Sequence, residues 1–273
     1  MTTQVGFAPI EGGQLYYEVT GQGSPLLLIH AGVANLRMWD AQVAYFADRY
    51  HVICYDSRGF GKTTTENVSY SNRQDIIDLL KHLGITQQVH LMGLSRGGHI
   101  ALDFTVEYPK LVDALIVVAG GVGGYAAQEP NAEEMTLFDR MEVLEEKQDW
   151  AALAAMETHV WVDGPLQAEG RAAANVRQVV HDLILANYAQ HSHETPQPRV
   201  LNPVAAEQLG TVHVPVLVIK GTFDTTSTNL AMDYLASQIA HVQVESFDTA
   251  HMVNLEQPER FNQIVSEFLA HVS

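Results

Sequence analysis

No part of this chain constrains its fold as tightly as the segment from Val89 to Leu102. The apolar run Val89-His90-Leu91-Met92 leads directly into Gly93-Leu94-Ser95-Arg96-Gly97-Gly98, and His99-Ile100-Ala101-Leu102 continues in a helix-compatible pattern. That order predicts a strand, a sharp turn and a helix. A serine held between glycines at such a turn matches the G-x-S-x-G elbow, whose strained backbone lifts the hydroxyl clear of the sheet. Glycine is required on both sides because strand and helix approach too closely there for a Cβ atom. Ser95 is therefore the candidate nucleophile. A plain glycine-rich turn is the competing reading, and it gives no reason for the strand before and the helix after.

The rest of the chain repeats the same alternation. Gln14 to Val19 reads as one strand of an N-terminal hairpin, the continuous apolar runs at 25–29, 52–55, 115–119 and 214–219 read as strands covered on both faces, and Val242 to Glu245 reads as the last strand, before a closing helix from about Pro258 to His271. Helical patterns lie between them. Ser71-Asn72-Arg73-Gln74 has capping-box form, and Gly84 marks the end of the helix it starts. The sheet is thus expected to be mostly parallel and doubly wound, an α/β fold. The rhythm breaks at Gly120-Gly121-Val122-Gly123-Gly124, and from Tyr125 to Ala206 only helical patterns occur, over 133–146, 150–161 and 166–189. Strand signals then resume at Val214. We therefore expect one core, residues 1–122 and 207–273, with an all-helical cap inserted over 123–206. A length of 273 residues suits that arrangement.

Charge narrows the partners. With 15 Lys+Arg against 32 Asp+Glu the formal charge is −17, which disfavours nucleic acid and anionic membranes and leaves small molecules as the expected substrates. An acidic substrate would need a local cation. The first residues have neither a basic nor an apolar segment of a secretory signal, no apolar run approaches membrane-spanning length, and Cys54 stands alone in a strand. These features lead us to expect a cytoplasmic protein, either monomer or homodimer, with Cys54 a buried thiol.

A serine hydroxyl needs a neighbouring base before it can attack an acyl group at neutral pH, and histidine titrates in the useful range. Of 13 histidines, His251 follows the last strand in a loop, at the sheet edge that carries Ser95. An imidazole base needs an anion behind it. Asp224, just beyond the strand ending at Lys220, is placed for that; Asp248, three residues before His251, is the rival and is expected at the surface. Other chemistries are less well supported. His191-Ser192-His193-Glu194 offers two close histidines without the H-E-x-x-H spacing of a metal site, and 120–124 lacks the G-x-G-x-x-G spacing of a dinucleotide loop. No cofactor is expected.

Four local patterns in chain order resemble the α/β-hydrolase superfamily: His30-Ala31-Gly32, Asp56-Ser57-Arg58-Gly59-Phe60-Gly61, Gly221-Thr222-Phe223-Asp224, and His251 to Pro258. The resemblance spans about residues 12 to 271. It implies a Ser95, Asp224, His251 triad in the order usual for that fold, and an oxyanion hole from the backbone N–H groups of Arg96 and of Gly32, with Val33 the alternative to Gly32. Serine at the elbow argues against the dehalogenases and epoxide hydrolases of the superfamily, which carry aspartate there. Hydrolysis of a carboxylic ester or related acyl bond is the expected activity. Enol-lactone or carbon–carbon bond hydrolysis, and a ligand sensor that has kept the fold, are the alternatives. Arg96 departs from the apolar residue usual after the serine. It is read either as the partner of one of the many acids, the preferred reading, or as a cation beside the pocket. Met135, Leu137, Phe138, Met156, Trp161 and Tyr188 are expected to line the pocket or to form the core of the cap.

Overall fold

The apolar runs all lie in one sheet in the computed structural model, which describes residues 2–125, 131–189 and 197–272. In chain order the elements begin with β1 (Thr3–Ile10), β2 (Gly13–Thr20), β3 (Ser24–Ile29), α1 (Asp40–Phe46), β4 (Tyr50–Tyr55), β5 (Thr64–Thr65) and α2 (Asn72–His82). Then come β6 (Val89–Leu94), α3 (Arg96–Glu107) and β7 (Val112–Val118). Three helices follow with no strand between them: α4 (Ala132–Glu146), α5 (Trp150–Thr158) and α6 (Ala174–Tyr188). The chain closes with β8 (Val216–Gly221), α7 (Thr226–Gln238), β9 (Val242–Phe247), α8 (Val253–Glu256) and α9 (Pro258–Val272).

The strand order is β1-β2-β4-β3-β6-β7-β8-β9, with the two-residue β5 added beside β2. β2 pairs antiparallel with β1 and β4, and from β4 to β9 every pairing is parallel. The alternation of side chains across a strand divides the core into two layers. Leu26 and Leu28 face the layer that holds Phe46 of α1 and Phe261 of α9, whereas Leu27 and Ile29 face the layer of Ile76, Phe104 and Leu235 from α2, α3 and α7. Both faces of β3 and β6 are therefore sealed, which is why their sequences are apolar throughout. The winding direction reverses about β3, which lies between β4 and β6, and the carboxyl ends of β3 and β6 open side by side. Open α/β sheets bind ligands at such a point.

The described residues between β7 and β8 include three α-helices, but their boundaries differ from those expected. The helix expected over 150–161 ends as an α-helix at Thr158 and widens into a π-helical turn, His159–Asp163. The helix expected from 166 begins only at Ala174. The cause is local: Gly164 and Gly170 adopt φ of 99° and 83°, and the buried Asp163 carboxylate accepts the N–H groups of Gly170 and Ala172, each at 3.0 Å. Those bonds close a loop where a longer helix was expected. Cys54 is buried in β4, and burial pushes its thiol pKa up. Among the described residues no helix is long and apolar enough to cross a membrane.

Candidate active site

Ser95 occupies the turn between β6 and α3 with φ 56° and ψ −118°, a conformation that non-glycine residues adopt only when their surroundings enforce it. The surroundings do so here. The Ser95 N–H donates to the Val118 carbonyl at 2.8 Å, tying the turn to the end of β7. A Cβ on Gly93 would lie 2.1 Å from the Gly97 carbonyl oxygen, and one on Gly97 would lie 2.1 Å from that of Ile29. Only glycine at both positions lets α3 start so close to β3 and β6.

Asp224 follows β8 and His251 follows β9, two adjacent strands, so both reach the same rim. Their side chains are 0% and 5% exposed, and His251 Nδ1 lies 2.7 Å from Asp224 Oδ2. The carboxylate is held in turn, because Asp224 Oδ1 accepts the Thr225 N–H at 2.7 Å. The His251 N–H donates to the carbonyl of Trp161 at 3.2 Å, and the two rings stand 4.9 Å apart. Asp248 is exposed, and among the described residues its hydrogen-bond partners are Thr222 and Gln257, not His251.

After β3, Ala31 to Ala34 forms a turn closed by Ala34 N–H to the Ala31 carbonyl at 3.2 Å. Its central residues are Gly32 and Val33, and among the described residues neither amide donates to a protein acceptor. Arg96 is the first residue of α3, so its N–H belongs to the turn of a helix that has no intrahelical acceptor. Gly32 packs against the Arg96 stem, an added Cβ falling 3.6 Å from Arg96 Cβ and Cδ.

A cavity of about 540 Å³ opens here, lined by Ser95, Arg96 and His251 together with Asn72, His99, Ala119, Tyr125, Trp161 and Ser227 among others. Ser95 and His251 thus share one chamber; among the described residues no hydrogen bond joins the hydroxyl to the ring. Such bonds are often loose before substrate arrives. The described lining residues include no Asp or Glu, and among them no cluster of three or more His, Cys, Asp or Glu could hold a metal. The pair His191 and His193 lies outside the described residues.

A family model for the alpha/beta hydrolase fold matches residues 24–258. The chain belongs to that family. Over 258 residues it is 30% identical to 3-oxoadipate enol-lactonase 2 of Acinetobacter baylyi, an alignment covering 92% of this chain and 91% of the relative. It is 27% identical to (E)-2-((N-methylformamido)methylene)succinate hydrolase of the same organism, covering 93% of each chain. The structure of an esterase from Exiguobacterium antarcticum superposes with a TM-score of 0.78 at 20% identity, covering 98% of this chain and all of the other, and shares its fold.

Of the six residues read as either pocket lining or cap core in this α/β-hydrolase, Trp161 lines this cavity and the other five do not. Met135 is exposed, Met156 edges a separate hollow, Phe138 stacks on Trp161, and Tyr188 stacks on Trp150 while donating to Glu157 at 2.6 Å. Helical periodicity separates apolar from polar faces but does not say which apolar face meets substrate. The preferred sequence reading of Arg96, as the partner of an acid, needs correction. Among the described residues its partners are the Ser57 hydroxyl and the Asn72 side-chain oxygen, with Phe60 beneath the guanidinium. Sequence reading missed Ser57 and Asn72, because long-range contacts between neutral groups leave no local pattern.

Proposed function

We propose that this α/β-hydrolase is a serine hydrolase that cleaves a carboxylic ester or related acyl bond through an acyl-enzyme. In this reading Ser95 Oγ attacks the acyl carbon while His251 Nε2 takes the hydroxyl proton, and Asp224 keeps the other ring proton on Nδ1. The amide of Arg96 and that of Gly32 or Val33 stabilise the oxyanion. His251 then gives its proton to the leaving alcohol or enol. Water, deprotonated by the same ring, cleaves the acyl-enzyme and restores the Ser95 hydroxyl. No cofactor takes part. Residues 123–206 act as a cap over a core of 1–122 and 207–273, with Trp161 closing the chamber against His251.

The observation that carries the proposal is the buried 2.7 Å contact of Asp224 with His251, opening on the chamber that contains the strained Ser95. A panel of short-chain aryl esters and enol-lactones, run with wild type and Ser95→Ala, tests it. Turnover lost in the variant supports the proposal; turnover that survives Ser95→Ala removes it. Enol-lactone hydrolysis is the second reading, favoured by the 30% identity to an enol-lactonase over 92% of the chain.

A further inference from the structure

The hydrolysis just proposed makes no use of the Arg96 side chain, yet the structure orients it with care. Arg37, Arg58, Arg73, Arg171 and Arg177 each lie against a carboxylate. Arg96 does not. Its Nη1 donates to Ser57 Oγ at 2.6 Å, its Nη2 to Asn72 Oδ1 at 3.4 Å, and the guanidinium carbon lies 5.0 Å from the Phe60 ring centre. All three partners are neutral. A permanent positive charge therefore stands at a chamber whose described lining holds no acid, in a chain of formal charge −17.

The polarity of the hydrogen bonds explains how the charge is held. His30 is fully buried, and burial pushes its pKa down to about 3, with the charge of Arg96 acting in the same direction. The ring is neutral. Its Nδ1 lies 2.7 Å from the Ala31 carbonyl oxygen, which can only accept, so the proton sits on Nδ1 and Nε2 is a lone pair. That lone pair accepts both the N–H of Ser57 at 3.0 Å and its hydroxyl at 2.9 Å. With its own proton committed, Ser57 Oγ turns a lone pair toward Arg96 Nη1. Every donor points the same way, from guanidinium to hydroxyl to imidazole to the carbonyl of the oxyanion loop. The fork is thereby fixed beside the nucleophile, with N–H groups left for a ligand. A planar carboxylate matches that geometry and charge.

We propose that Arg96 recognises a carboxylate carried by the acyl substrate itself, so that the substrate is a half-ester or carboxylated lactone of a short dicarboxylic acid. This rests on the hydrolase reading above. Because Arg96 and Ser95 line one chamber, the anion and the scissile carbonyl belong to one small molecule.

The test compares monophenyl glutarate with its neutral methyl ester. Wild type is expected to show higher kcat/KM for the anion. Arg96→Met should lower the ratio of the two kcat/KM values about 10- to 100-fold, the usual weight of a charge-assisted contact. Arg96→Lys should restore part of it, and Ser57→Ala should weaken it by freeing the fork. In parallel, glutarate, glutaramide and inorganic phosphate are titrated calorimetrically into Ser95→Ala. Glutarate alone should bind, and addition of Arg96→Met should abolish the heat. Equal hydrolysis of both esters by wild type, or phosphate or glutaramide binding as well as glutarate, overturns the proposal. If neither ester is cleaved while glutarate binds through Arg96, the hydrolase reading fails and the carboxylate subsite stands.

Discussion

Replacing Asp224 with Asn changes one atom in a place where both carboxylate oxygens are acceptors. Oδ2 faces His251 Nδ1 and Oδ1 faces the Thr225 N–H, each at 2.7 Å, and the side chain is wholly buried. Asparagine has one acceptor oxygen and one donor NH₂ group, so neither orientation keeps both contacts with the present proton positions. If the amide oxygen faces His251, the NH₂ group meets the Thr225 N–H, two donors without water, at a cost of about 1–3 kcal/mol. If the NH₂ group faces His251, Nδ1 must become the acceptor and the ring proton moves to Nε2. That tautomer cannot take the Ser95 proton. The imidazolium also loses its counter-charge in both cases. The expected loss in kcat on an aryl ester is about 10⁴-fold, or about 5 kcal/mol of barrier, the scale known for this substitution in serine proteases. The assay is steady-state kcat, with circular dichroism confirming the fold, and with Asp248→Asn as a control expected to match wild type because Asp248 is exposed and remote from the ring. Asp224→Asn activity within tenfold of wild type, or an equal loss in the control, would refute the reasoning.

Gly97→Ala would put a Cβ 2.1 Å from the Ile29 carbonyl oxygen and 2.7 Å from that of His30, prying α3 from β3; we expect a loss of about 3 kcal/mol or more by urea unfolding, and a Tm within about 2 °C of wild type would contradict it. Arg58→Met strips the bidentate partner, at 2.8 and 2.9 Å, from Asp75, whose side chain is 5% exposed, and should cost about 3–5 kcal/mol by the same assay, whereas a loss under about 1 kcal/mol would show the pair is not needed. Burial raises the Glu157 pKa from 4.5 to about 7, so between those values the folded state holds a proton that the unfolded state has released. Its contribution to stability is thus fully present below about pH 4.5 and lost as pH rises through 7. Glu157→Gln should match wild type near pH 4.5 and exceed it at pH 8 by up to about 3 kcal/mol, and no gain at pH 8 would contradict the shift.

The sequence made legible whatever its local chemistry alone decides. Leu26 to Ile29 reads as a strand buried on both faces, and the strand before and helix after Gly93 to Gly97 favour a close backbone approach over a plain glycine-rich turn. Asp224 and His251 were found because each follows a strand of a parallel sheet, and parallel strands deliver their carboxyl ends to one rim. Features set by which particular groups meet, within a loop or between elements, were not legible. Asp163 ends the helical pattern by taking the amides of Gly170 and Ala172, bonds that periodicity does not encode. The pair Thr64–Thr65 is a strand only because Gly13 and Gln14 pass beside it. The abundance of acids suggested an ion pair for Arg96. Its actual partners, Ser57 and Asn72, lie 39 and 24 residues away and carry no charge.

The central claim is that Ser95 is a hydroxyl made nucleophilic by the imidazole across the chamber. A fluorophosphonate, added at neutral pH and followed by intact mass and peptide mapping, measures this directly. The account predicts one adduct per chain, on Ser95, absent in Ser95→Ala and formed far more slowly in His251→Ala. Turnover of an aryl ester by wild type with no adduct on Ser95, or with the adduct on another residue, would contradict it.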